Sequence, residues 1–138
     1  MNVESLVTDN VAELLFKIIE FTQSRQKIIT QNINNMRDLR FVPKDLMVGE
    51  FTQLLCEAID EHIRNRRLVL RDTENIKFET GGNFTVRAVV DRYAQKLLED
   101  NPDEYLELQA NKLLENSLNQ RVAAELLRQK QGMVSMFD

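Results

Sequence analysis

Residues 101–137, NPDEYLELQANKLLENSLNQRVAAELLRQKQGMVSMF, form the longest uninterrupted helical pattern in the chain, and the fold is read outward from them. Asn101 suits an N-cap, Pro102 stands where the first helical turn needs no N–H, and Asp103 and Glu104 set negative charge against the positive end of the helix dipole. From Leu118 onward Leu118, Val122, Ala123, Leu126, Leu127, Met133, Val134 and Phe137 recur at threes and fours, which predicts one apolar stripe. Leu106, Ala110, Leu113 and Leu114 centre on roughly the opposite side, so the two halves are expected to be buried by different partners. A helix this long cannot bury both faces against its own short chain, and assembly is the expectation.

A second long helix is predicted from Val3 to Met36, where no Gly or Pro intervenes. Val7, Val11, Leu14, Leu15, Ile18, Ile29, Ile33 and Met36 fall on one side, with Thr22 and Arg25 filling that side midway. This narrow stripe reads as a coiled-coil seam to which the C-terminal stripe could pair, Leu118, Val122 and Leu126 lying on the N-terminal helix. The expected fold is therefore mainly α: long N- and C-terminal helices (1–36 and 101–138) packed as a coiled coil and forming one core domain around a middle region (37–100).

In that middle region Pro43 breaks the helical pattern and forces Val42 toward extended backbone, with Phe41 and Val42 expected to tuck against the helices. Met47, Phe51, Leu54, Leu55, Ala58, Ile59 and His62 predict a helix from about Leu46 to Arg66. Leu68–Leu70 and Ile76–Phe78 form two β-like runs, and Gly81 and Gly82 mark a turn, so either a short β-hairpin or an irregular loop fits here. Val86, Val89, Val90, Tyr93, Ala94, Leu97 and Leu98 predict a further helix from about Thr85 to Glu99, capped by Asn83 or Thr85.

Little in the chain suggests catalysis. The single cysteine, Cys56, excludes an internal disulfide, and it stands six residues from the single histidine, His62, about 120° away around a helix. The position three before His62, where a di-metal helix motif needs a carboxylate, is Ile59. Glu57, Asp60 and Glu61 read as a solvated face, and Arg64, Arg66, Arg67 and Arg71 as a surface or interface patch with no interleaved aromatics to stack bases. A net charge of −4 gives no general attraction to nucleic acid or an anionic membrane. Residues 1–24 are acidic and residues 25–44 basic, either as solvated faces or as a charge-matched contact between copies. The N-terminus, with Glu4, Asp9 and Glu13 among its apolar residues, lacks the pattern of a cleaved signal peptide, and no run is long enough to span a bilayer. No enzyme, cofactor or metal site is expected.

Two stretches resemble the FlgB family of bacterial flagellar proximal rod proteins, within the wider rod and hook axial proteins. In residues 24–46, SRQKIITQNINNMRDLRFVPKDL, Arg25 and Gln26 match the family's RQ, and Asn32, Ile33 and Asn35 fall on conserved-type positions of its ANNIAN segment. Phe41 stands at an aromatic position and Lys44, Asp45 and Leu46 match a basic-Asp-apolar group, whereas Asp38, Leu39 and Arg40 occupy the place of a TPG. In residues 114–137, Glu115, Asn116, Ser117 and Leu118 resemble the acidic-Asn-Ser-Leu entry to the family's C-terminal helix, and Gly132 and Met133 its ending.

The resemblance implies a structural subunit of the flagellar basal body. Such a subunit is exported by the type III apparatus without a cleaved signal and polymerises in the periplasmic rod through its terminal helices. Its implied partners are copies of itself, other rod proteins, FliE and the membrane-ring protein, with no nucleic acid and no stable membrane insertion. The subunit interface is expected at Val11, Leu15, Ile18, Ile29, Gln31, Asn32, Ile33, Asn35 and Phe41, and at Leu113, Leu114, Asn116, Leu118, Val122, Leu126 and Met133. Asn32 and Asn35 either cap the end of the first helix or, together with Gln31, hydrogen-bond neighbouring subunits. The competing reading is a cytoplasmic helical adaptor or secretion chaperone that holds a partner helix in a groove.

Overall fold

The computed structural model describes the backbone of residues 3–79 and 84–137, with side chains from 10 to 79 and 84 to 132. Its elements are α1 (Val3–Asn34), β1 (Lys44–Asp45), α2 (Val48–Asn65), β2 (Ile76–Phe78), β3 (Phe84–Val86), β4 (Val89–Val90), α3 (Arg92–Asp100) and α4 (Pro102–Phe137). The chain is mainly helical, with two small antiparallel sheets.

The predicted start of the last helix is observed: the Asn101 side chain accepts from the Glu104 N–H at 3.2 Å. The same residue closes α3, its own N–H donating to the Leu97 carbonyl at 2.7 Å. Helix α4 then runs antiparallel along α1. Its first turns lie against Asn32, its middle against Thr22, and Ala123 and Leu127 against Leu15.

On the other side α1 meets the middle region through Phe21, a residue outside the predicted stripe. Phe21 stacks on Phe51 of α2, with ring centroids 4.0 Å apart. Phe51 in turn touches Phe84, and Phe84 touches Phe78, so one aromatic row ties α1 and α2 to the β2–β3 pair. Leu46, Leu54 and Ile76 complete this core. Burying each such side chain contributes roughly 1.5–3 kcal/mol, which makes this cluster the main reason that so small a middle region is ordered.

Two expectations for the middle region are corrected here. The helix predicted from Thr85 begins only at Arg92, and Asp91 is its cap, accepting from the Ala94 N–H at 3.1 Å. Val86, Val89 and Val90 fit a helical period but are β-branched, and partners stand ready for them as strands: Val86 pairs with Ile76, and Val89 and Val90 with Asp45 and Lys44. Of the two β-like runs only Ile76–Phe78 is a strand, while Leu68–Leu70 forms no ladder. The segment leaving α2 instead turns back along that helix. Arg66 takes a left-handed conformation (φ 57°), its N–H donating to the His62 carbonyl. Arg67 then pairs with Glu61 at 2.7 Å, Arg71 with Glu57 at 2.6 Å and Arg64 with Asp60 at 3.5 Å. The acidic face and the basic patch of the sequence are thus one set of ion pairs. The turn expected at Gly81 and Gly82, and the alternative cap Asn83, lie outside the described residues.

Candidate assembly interface

Polar side chains close the centre of the α1–α4 seam. Asn116 is buried and donates from Nδ2 to the Thr22 carbonyl over 2.7 Å. Toward the C-terminal end of α1, the buried Asn32 amide donates to Gln109 Oε1 at 3.0 Å and to the Lys44 carbonyl at 2.8 Å. Its Oδ1 accepts from the Lys44 N–H at 3.1 Å, and its backbone carbonyl accepts from the Tyr105 hydroxyl at 2.8 Å. One asparagine thereby fixes α1, β1 and α4 in register. Buried amides hold register because each group left unpaired costs about 1–3 kcal/mol.

Between these two points lies a four-membered ion cluster. Arg25 forks onto Asp45 through Nε at 2.9 Å and Nη2 at 3.1 Å. Lys112 Nζ reaches Asp45 at 2.9 Å and Asp91 at 2.6 Å. Two cations face two carboxylates, so the cluster is neutral. Burial pushes the Asp45 carboxyl up, but the hydrogen bonds and charges of Arg25 and Lys112 outweigh it and hold Asp45 below the usual value of 3.8. Burial likewise pulls Lys112 down, and its bonds to Asp91 and Asp45 carry it above 10.5. The Tyr105 hydroxyl is pushed up to about 12, by burial first and then by the charge of Asp91.

This seam sets the facing of α4. Tyr105, Gln109, Lys112, Asn116, Ala123 and Leu127 share the inward direction, so Leu114, Leu118, Val122 and Leu126 are left outside, 62, 54, 58 and 46% exposed. They recur every four residues and wind around the helix by about 40° per step, forming an outward ridge. At its C-terminal end the ridge borders a groove of about 320 Å³, where Val122 and Leu126 face Leu15, Ile18 and Phe21 of α1 and Val48 and Leu55 of α2.

The predicted interface residues therefore divide. Leu15 is buried against Ala123 and Leu127 of its own chain, with Val11 and Ile18 packed beside it, and Ile29 is wholly buried. Ile33, Phe41 and Leu113 are half-buried. Asn32 and Asn116 bond within the chain, which corrects the expectation that Asn32 reaches a neighbouring subunit. Asn35 is exposed and donates to the Gln31 carbonyl one turn back, while the Gln31 side chain is exposed. Leu118, Val122 and Leu126 do not form the seam with α1, and Leu106 and Leu114 are exposed. The side chain of Met133 lies outside the described residues.

Apolar spacing alone does not point to Gln109, Lys112, Tyr105 or Asp91. Residues 105, 109, 112, 116, 123 and 127 keep the spacing of a helix seam, but most of them are polar or small.

Cys56 is exposed on α2, whereas His62 is buried, its Nδ1 lying 3.4 Å from the Asn10 amide, so the two share no site. Among the described residues no helix is long and apolar enough to cross a membrane. Compared with protein-family models, with curated proteins and with solved structures, the chain matches none.

Proposed function

We propose that the chain is a structural subunit of the flagellar proximal rod, of the FlgB type, and not an enzyme. In this reading α1 and α4 form the coiled-coil core, export needs no cleaved signal, and the outward ridge of α4 meets neighbouring rod proteins, FliE or the membrane ring. One observation carries it. The two rod-like stretches are separated by some seventy residues of sequence, yet Asn32 and Asp45 of the first and Asn116 of the second each take part in the bonds that join α4 to α1 and β1, with Gln109, Lys112 and the Thr22 carbonyl as their partners. Residues matched only by type thus have one physical task, holding the terminal helices in register.

The test is genetic and biochemical. A strain lacking this gene should build no rod and should not swim, and a tagged copy that restores motility should copurify with basal bodies. Intact basal bodies in the deletion strain would overturn the reading. The adaptor reading draws on the groove between α1, α2 and α4, and it predicts a soluble cytoplasmic complex in place of a basal-body component.

A further inference from the structure

Two exposed features of the chain complement one another. The first is the turn after α1. The Asp38 N–H donates to the Asn35 carbonyl at 3.0 Å, the Phe41 N–H to the Asp38 carbonyl at 3.0 Å, and the Arg40 N–H to Asp38 Oδ1 at 2.9 Å. This hydrogen-bonded turn holds Leu39 wholly in solvent, at 102% relative exposure. Arg37, Arg40 and Lys44 around it are exposed and enter no ion pair among the described residues. With three cations against the one carboxylate of Asp38, this fixed turn presents a bare leucine and a net positive charge, a knob without a hole.

The second feature is the outer face of α4. Leu114 and Leu118 stand exposed there, and Glu107 and Glu115 flank them, with Asp103 and Glu104 one or two turns earlier. At 100° per residue Glu107, Leu114 and Leu118 point within about 40° of one another. None of these four carboxylates enters an ion pair among the described residues. The face is an apolar strip rimmed by four unpaired carboxylates against one exposed cation, Arg121, one turn beyond Leu118.

We propose that the turn of residues 37–44 in one copy of the chain docks on the outer face of α4 in a second copy, with Leu39 against Leu114 and Leu118 and the arginines against Glu107 and Glu115. This deepens the assembly reading above and rests on it. The occupant follows from charge: two α4 faces set against each other would oppose carboxylate to carboxylate, whereas the turn brings cations. A turn-to-face contact leaves each copy with one unused turn and one unused face. Where the rotation between copies does not close a ring, such a contact repeats head to tail into an open filament.

In a Cys56→Ala background, differently tagged Leu39→Cys and Leu114→Cys proteins should form a disulfide between the two tags when mixed and oxidised, and less of it at high salt. Arg40→Glu should weaken self-association by about tenfold or more in sedimentation, and the doubly reversed face Glu107→Arg/Glu115→Arg should bind Arg40→Glu better than it binds the unchanged turn. Circular dichroism checks that each variant is folded. Disulfides joining position 114 to position 114 without any 39–114 product overturn the proposal. So does a chain that self-associates without the 39–114 crosslink, or one that stays monomeric at every concentration. An Arg40→Glu strain that builds normal rods also rejects this contact while leaving the functional reading intact; that reading fails on the deletion strain.

Discussion

Replacing Asp45 by Asn keeps the shape of the side chain and removes its charge from the centre of the ion cluster. Asp45 accepts two hydrogen bonds from Arg25 and one from Lys112. Hydrogen bonds to a charged group are worth about 1.5–3 kcal/mol each. Asn can still accept from one donor, so the loss falls in the range of about 3–5 kcal/mol for removing one partner of a buried pair. Two facts pull it to the low end: the Arg25 and Asp45 side chains retain 7 and 14% exposure, and Lys112 keeps Asp91. We expect about 3 kcal/mol, which at an m-value of about 1.5 kcal/mol/M lowers the urea midpoint by about 2 M. Adding Arg25→Met should recover part of this, because it removes the cation left unpaired. The pH dependence carries the sign. A carboxyl held low in the fold stabilises it above the unfolded value of 3.8, and that contribution is lost as pH falls through the folded value. Wild-type protein should therefore lose its advantage over Asp45→Asn in acid. A loss below about 1 kcal/mol at neutral pH, or a gap unchanged in acid, would refute the argument.

Asn32→Leu should cost about 3 kcal/mol or more in urea unfolding, since it strands the Lys44 N–H and carbonyl and Gln109 Oε1 together; a near-neutral result would mean that the amide is not the register lock. Alkali should unfold the chain as well: Lys112 and Tyr105 have raised folded values, so their contributions are complete below 10.5 and 10.0 and are lost as pH rises through the folded values. In a Tyr93→Phe protein the remaining phenol should ionise near 12, together with unfolding, and a phenolate appearing well before the helical signal is lost would contradict this. Val122→Asp should change the stability of the isolated chain by no more than about 0.5 kcal/mol, because the side chain is exposed, and should weaken assembly; a loss of several kcal/mol would place Val122 in the core.

Much of the helical framework was legible because its signals are local. Asn101, Pro102, Asp103 and Glu104 start α4 by their own chemistry, and an unbroken period without Gly or Pro carries α1. Facing was harder to read. The period of Leu118, Val122 and Leu126 is real, but the inward direction is decided by polar partners on α1, β1 and α3 that no spacing within α4 reveals. The strand at Lys44–Asp45 was equally hidden, since two residues pair only because Val89 and Val90 lie beside them. Val86 to Val90 show the same conflict from the other side, a helical period overridden by β-branched side chains with a ladder at hand.

Helix α4 turns a polar seam inward and an apolar ridge outward. Single cysteines at Leu118 and at Ala123, each in a Cys56→Ala background, test it by their rates of maleimide labelling in the dilute chain and after self-association. Position 118 should label rapidly in the dilute chain and become protected on assembly, while position 123 stays slow in both. Slow labelling at 118 in the dilute chain, with 123 reacting fast, would mean that the ridge packs on α1 and that the polar residues of α4 do not form the seam.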